Sequence, residues 1–166
     1  QKNTAHTMKN IGDYEDVNLT QEQINYLLTS QLALSHKHWL VVHAGVPSNC
    51  SPEYRNLSIY RLEDKIPDKY KTSLYLRYED ENKKSVNYGN EKPEDCFWAS
   101  EYRGQVGHVI FGHQPHPVVT HYPCATAIDT CCVYGGKLTA LVIEDNQIVD
   151  TVYVKAQQVY YQKENQ

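Results

Sequence analysis

The sequence predicts a mixed α/β domain, and three observations carry that prediction. A capped amphipathic helix opens the patterned part of the chain. Two short segments with apolar runs, Trp39 to Val42 and Val106 to Phe111, are each followed at once by a histidine and a small residue. The last third is strand-rich and closes with a hairpin signal. Length supports one domain or a large piece of one, since 166 residues lie within the usual domain range.

The elements follow in order. Residues 1–18 are polar and read as an irregular N-terminal segment. Thr20 is a good N-cap, and Gln23 three residues on gives the capping-box spacing. Leu19 and Ile24 match a hydrophobic staple. Ile24, Leu27, Leu28 and Leu32 then form an apolar stripe at helical spacing, so a helix is expected from Thr20 to about Leu34. Trp39 to Val42 reads as a buried strand broken at Ala44-Gly45. Residues 47–104, punctuated by Pro47, Pro52, Pro67 and Pro93, read as an insertion carried on a sheet scaffold. Leu74 to Tyr78 is expected as a strand and Glu79 to Lys84 as a solvated turn. Val106 to Phe111 is expected as a buried strand, with short strands at Val118-Val119 and Ala127-Ile128. Leu138 to Ile143 and Ile148 to Val154 should form a hairpin around residues 144–147. The tail, residues 156–166, is polar and expected to fray.

Composition narrows the function. Sixteen Lys plus Arg against 20 acids give a net charge of −4, which disfavours a polyanion such as nucleic acid as partner. No apolar run is long enough to span a bilayer. Five cysteines without a CxxC pair fit neither a disulfide framework nor a structural zinc pattern. They imply an intracellular, reducing compartment: cytoplasm, or an organelle if a transit peptide precedes this sequence. Fourteen Tyr against 2 Phe and 2 Trp imply a core with polar rims, because each buried phenol needs a hydrogen-bond partner.

Three constellations can carry chemistry. His43-Ala44-Gly45 follows a buried strand, where ligands bind in layered α/β folds. The small residues leave room for an ion or phosphate to approach the backbone. Gly112-His113-Gln114-Pro115 repeats that grammar. Neutral imidazole is a common ligand for zinc, manganese or iron, and equally a hydrogen-bonded structural group. His108 should point away from the His113 side of its strand, and His116 and His121 read as loop or solvated residues. Asp129, in Ile128-Asp129-Thr130, either closes an Asx-type turn or orients a ligating histidine. Gly135-Gly136 marks a tight turn.

Taken together, His43-Ala44-Gly45-Val46, Phe97 to Gly104, His108 to Pro115 and Ala127 to Glu144 resemble, in this order, the C-terminal half of the calcineurin-like metallophosphoesterases. The nearest branch is that of the bacterial-type protein phosphatases and symmetrical dinucleoside tetraphosphatases, with the phosphatase module of bacterial polynucleotide repair enzymes. The resemblance covers roughly residues 19–145, within a C-terminal domain part drawn at 19–155. It implies a two-layered β-sandwich flanked by helices. It also implies two divalent ions (Mn, Fe or Zn), roughly 3.5–4 Å apart. By that resemblance His43 and His113 ligate one ion and Asp129 lies at the catalytic site. An arginine gripping phosphate is expected chemically, with Arg61, Arg77 and Arg103 as candidates and Arg77 favoured for its aromatic surroundings. The substrate would be phosphorylated, a phosphoprotein or a nucleotide.

The departures are specific. The family's Asp-x-His, GDxxDRG and GNH motifs are absent, and Gly12-Asp13-Tyr14 is none of them. With Gln1 as the first residue, the expectation is a piece of a longer metallophosphatase. The alternative is an inactive subunit kept as a scaffold in a larger assembly, and a third reading is a small β-rich domain with structural histidines. Cys131 stands where the family prefers glycine. If that position needs a positive φ, cysteine there costs on the order of 1 kcal/mol.

Overall fold

The computed structural model of the protein describes residues 19 to 162. Residues 1–18, with Gly12-Asp13-Tyr14, and residues 163–166 lie outside the described residues. The elements are α1 (Gln21–Leu28), β1 (Ala33–His36), β2 (Trp39–Val42), α2 (Asp68–Lys71), β3 (Tyr78–Glu79), β4 (Cys96–Phe97), α3 (Trp98–Glu101), β5 (His108–Phe111), β6 (Thr120–Tyr122), β7 (Ala125–Ala127), β8 (Lys137–Glu144) and β9 (Gln147–Lys155). The architecture is mixed α/β, as the sequence predicts.

The capping box at Thr20 is formed. The Gln23 amide donates to the Thr20 hydroxyl at 3.2 Å, and the Gln23 side chain accepts from the Thr20 amide at 2.8 Å. The helix ends at Leu28 rather than near Leu34. Backbone partners from further along the chain capture the next residues: the Leu32 amide donates to the Tyr60 carbonyl, and the Leu62 amide donates to the Ser30 carbonyl. Ala33 and Leu34 then enter β1 instead.

Five strands form one sheet in the order β1-β2-β5-β7-β6. β2, β5 and β7 are mutually parallel, with Val42 opposite Phe111 and Phe111 opposite Ala127. Their carboxyl ends therefore finish side by side on one edge. The strand expected from Val106 starts at His108. The one expected at Val118-Val119 is displaced to Thr120–Tyr122, leaving Val118 exposed. Leu74 to Tyr78 is not a strand: Thr72–Leu74 is a 3-10 turn, and only Tyr78 and Glu79 pair, with Phe97 and Cys96.

Residues 47–104 are not an insertion on a finished scaffold. They supply Tyr54, Leu57, Tyr70, Leu76, Trp98, Ala99 and Tyr102 to the core that lies against Leu40, Val109 and Phe111. The tyrosines there satisfy the rule for buried phenols. Tyr54 donates to the Lys69 carbonyl, Tyr70 to the Glu53 carbonyl at 3.1 Å, and Tyr102 to the Gly107 carbonyl at 2.8 Å. Glu79, expected in a solvated turn, is buried at 1% exposure and accepts from the Ser48 amide at 3.0 Å.

β8 and β9 form the expected hairpin, closed by Asp145 and Asn146 at φ 48° and 64°. Positive φ at both central residues is what a tight two-residue hairpin requires. Its apolar pairs stay open to solvent: Leu138 opposite Val154, and Ala140 opposite Val152. The tail does not simply fray. Ala156 donates to the Gly136 carbonyl, and the Tyr160 and Tyr161 amides both donate to the Val133 carbonyl.

Candidate metal and phosphate site

The parallel register brings the candidate residues together. His43 follows β2, Gly112-His113 follows β5, and Asp129 follows β7 two residues on. His43 Nε2 and His113 Nδ1 stand 3.1 Å apart although 70 residues separate them in the chain. The Gly112 amide donates to the His43 carbonyl at 2.9 Å, which fixes the two strand ends relative to each other. His113 adopts φ 67°, uncommon for a residue with a side chain and of the kind that collects at ligand sites.

Asp129 lies close enough that its carboxylate favours protonation of His43. Burial of the ring by surrounding protein outweighs it, and Arg77 adds to burial, so the His43 pKa falls below its ordinary value. The neutral imidazole, the form able to ligate a metal, is thereby favoured at His43. The carboxylate also closes the Asx-type turn considered from sequence, accepting from the Cys131 amide at 3.2 Å. Of the two sequence alternatives for Asp129, the Asx-type turn is formed.

The turn after Asp129 is tightly built. Cys131 has φ 65° and ψ 30°, the left-handed region in which the family's glycine would be at ease. Gly136 has no room for a side chain: a Cβ there would lie 2.3 Å from the Thr130 carbonyl oxygen. Thr130 donates to the Lys137 carbonyl at 2.7 Å and ties the turn to β8. Gly45, expected to leave space for an ion or phosphate, does something else. The Trp98 indole occupies that space, its Nε1 2.5 Å from where a Cβ would stand.

An open pocket of about 360 Å³ is lined by His43, His113 and Asp129, with Cys132, Lys137 and Thr139. Lys137 was legible as the cation immediately after Gly135-Gly136, but the sequence reading did not single it out. Its ammonium sits 4.0 Å from the Tyr153 ring centroid. Of the three arginines, Arg61 pairs with Glu63 at the surface and Arg103 donates to the Ser100 and Tyr102 carbonyls. Arg77 does not line the pocket, yet its charge bears on His43. Its Nε is buried without a hydrogen-bond partner.

The other histidines lie elsewhere. His108 bonds Thr126 at 2.8 Å, away from His113, as the strand alternation requires. His116 lies in a loop, as expected, but is half-buried rather than solvated. It bonds the Gln114 carbonyl and the Tyr122 hydroxyl, within an aromatic cluster with Phe97 and Phe111. No disulfide joins the five cysteines, and burial followed by the Glu79 charge pushes the Cys50 thiol up to about 12, so it is not a reactive thiol.

The residues present fit half of a metal site. Two imidazole nitrogens bound at right angles about 2.1 Å from one ion stand roughly 3 Å apart, close to the observed 3.1 Å. Without an ion, one ring must donate to the other. Among the described residues no group of three or more His, Cys, Asp or Glu is placed to hold a metal, so the donor set here is incomplete.

The fold is mixed α/β, and over part of its length the chain is similar to proteins of the calcineurin-like metallophosphoesterase superfamily. A symmetrical bis(5'-nucleosyl)-tetraphosphatase of Marinomonas sp. (strain MWYL1) is 39% identical over 66 residues, which are 39% of this chain and 20% of that protein. The match thus spans about a fifth of the relative's length. A crystal structure of a protein provisionally named diadenosine tetraphosphatase overlaps 72% of this chain and 47% of its own, at 23% identity and a TM-score of 0.45. No family model matches. No helix among the described residues is long and apolar enough to cross a membrane.

Proposed function

We propose that the chain carries part of the metal centre of a metal-dependent hydrolase of phosphoanhydrides or phosphomonoesters, with dinucleoside polyphosphates as the favoured substrates. The observation that supports this most is the 3.1 Å approach of His43 and His113 at adjacent parallel strand ends. Residues 19–155 would be the C-terminal part of the catalytic domain. His43 and His113 would hold one ion of a Mn, Fe or Zn pair. Two donors are fewer than such an ion takes, so its other ligands would come from outside the described residues. When bound, the ion pair supplies Lewis acidity to the phosphoryl group. The Asp129 carboxylate beside His43 adds negative charge that favours a cation there. Arg77 and Lys137 would meet phosphate oxygens, the guanidinium by its fork and the ammonium as a point charge.

A non-catalytic role in an assembly is the second reading, favoured by the exposed Leu138–Val154 and Ala140–Val152 pairs. Metal content separates the two. Full-length protein should purify with near-stoichiometric Mn, Fe or Zn, and His43→Ala should lower that content on the order of tenfold or more. Because burial and the Arg77 charge hold the His43 pKa below its ordinary value, acid should protonate His43 and release metal at lower pH than an ordinary histidine would. Full-length protein with neither metal nor activity on a dinucleoside tetraphosphate would exclude the catalytic reading.

A further inference from the structure

Among the described residues, the partner of the Arg77 guanidinium is aromatic. Its guanidinium carbon lies 4.7 Å from the Tyr88 ring centroid. Among the described residues it has no carboxylate within 4.0 Å, and its buried Nε donates to nothing. Its backbone is tied to the candidate site: the Arg77 carbonyl accepts from the Trp98 amide at 3.1 Å, and the Trp98 indole covers Gly45, two residues after His43.

Tyr88 is the other half of the pair. Its ring is 70% exposed, so burial does not explain its position. The loop carrying it, between β3 and β4, is nevertheless hydrogen-bonded. Val86 donates to the Tyr78 carbonyl, Asn90 to the Asn87 carbonyl, and the Gly89 amide to Glu91 Oε2 at 2.7 Å. The ring is thus carried on a hydrogen-bonded loop, with a cation against it and most of its surface open to solvent. An aromatic platform beside an arginine is the combination by which proteins stack bases while meeting the attached phosphates.

We propose that Tyr88 is a specificity-determining residue, whose open ring face stacks a nucleobase while Arg77, held against the same ring, meets the phosphate attached to that nucleoside. The proposal rests on the phosphate-site reading above and deepens it: it selects nucleoside phosphates over phosphopeptides and inorganic phosphate. A phosphoserine peptide has no planar ring to set against Tyr88, so it would forgo that contact.

Calorimetric titration of full-length protein with inorganic phosphate and with adenosine monophosphate tests it. Adenosine monophosphate should bind more tightly than phosphate. Tyr88→Ala should weaken its binding on the order of tenfold and change phosphate binding by less than about threefold. Tyr88→Phe, which keeps the ring, should restore the difference. Arg77→Ala should weaken both ligands. Equal binding of the two probes, or equal loss of both in Tyr88→Ala, would overturn the role of Tyr88 while leaving phosphate binding and its dependence on Arg77 intact. Absence of phosphate binding altogether would instead overturn the phosphate site itself, and the role of Tyr88 with it. Since Tyr88 is exposed, the melting temperature of Tyr88→Ala should match the parent's.

Discussion

β5 and β9 are both rich in apolar residues, and they have opposite fates. In β5, Val109, Ile110 and Phe111 are each 4% exposed or less, between parallel neighbours and above the tyrosine-rich layer from the middle of the chain. In β9, Val152 and Val154 are 48% and 69% exposed. The first strand is specified by tertiary packing and the second by local pairing through a tight turn. The candidate site lies at the seam: two histidines on the packed side, and on the other the Asp129 to Gly136 turn that leads into the hairpin.

The contrast can be broken from the packed side first. Trp98 is fully buried, covers Gly45, and meets Phe111 at a centroid distance of 4.8 Å. Trp98→Ala should cost about 3–5 kcal/mol in denaturant unfolding, as large-to-small core changes do. A loss under 1 kcal/mol would mean that the middle region does not hold the sheet. At the seam the sign reverses. Cys131→Gly should stabilise by about 1 kcal/mol, because glycine tolerates φ 65° without the Cβ clash. The same measurement showing destabilisation would mean that the Cys131 thiol contact with the His116 carbonyl outweighs the strain. On the open side the effect should be smallest. Val154→Thr keeps the branched shape and should shift stability by less than about 0.5 kcal/mol. A loss several times larger would show that this face is covered in the full-length protein.

The site was partly legible before any coordinates. Gly or small residues flanking a histidine after an apolar run marked both strand ends, because the end of a buried strand is a local event. The same locality explains the capping box at Thr20 and the hairpin turn at Asp145-Asn146. Failures came where distant partners decide. Leu32 fits a helical stripe, yet its amide is taken by Tyr60. Glu79 begins a charged run, yet it is buried because the Ser48 amide meets it. Gly45 looked like room for a ligand, and a tryptophan from 53 positions on fills it.

By itself, then, the sequence determined the strand ends, the caps, the turns and the chemical types poised there. Those depend on neighbours within a few residues, where steric and hydrogen-bonding rules act directly. Only the tertiary structure decided that His43 and His113 meet at 3.1 Å, that the charge of Arg77 bears on His43, and that Cys131 occupies a left-handed position. Each of those follows from the parallel register of β2, β5 and β7 and from the chain packed against it, and no local pattern encodes a distance between residues 70 positions apart.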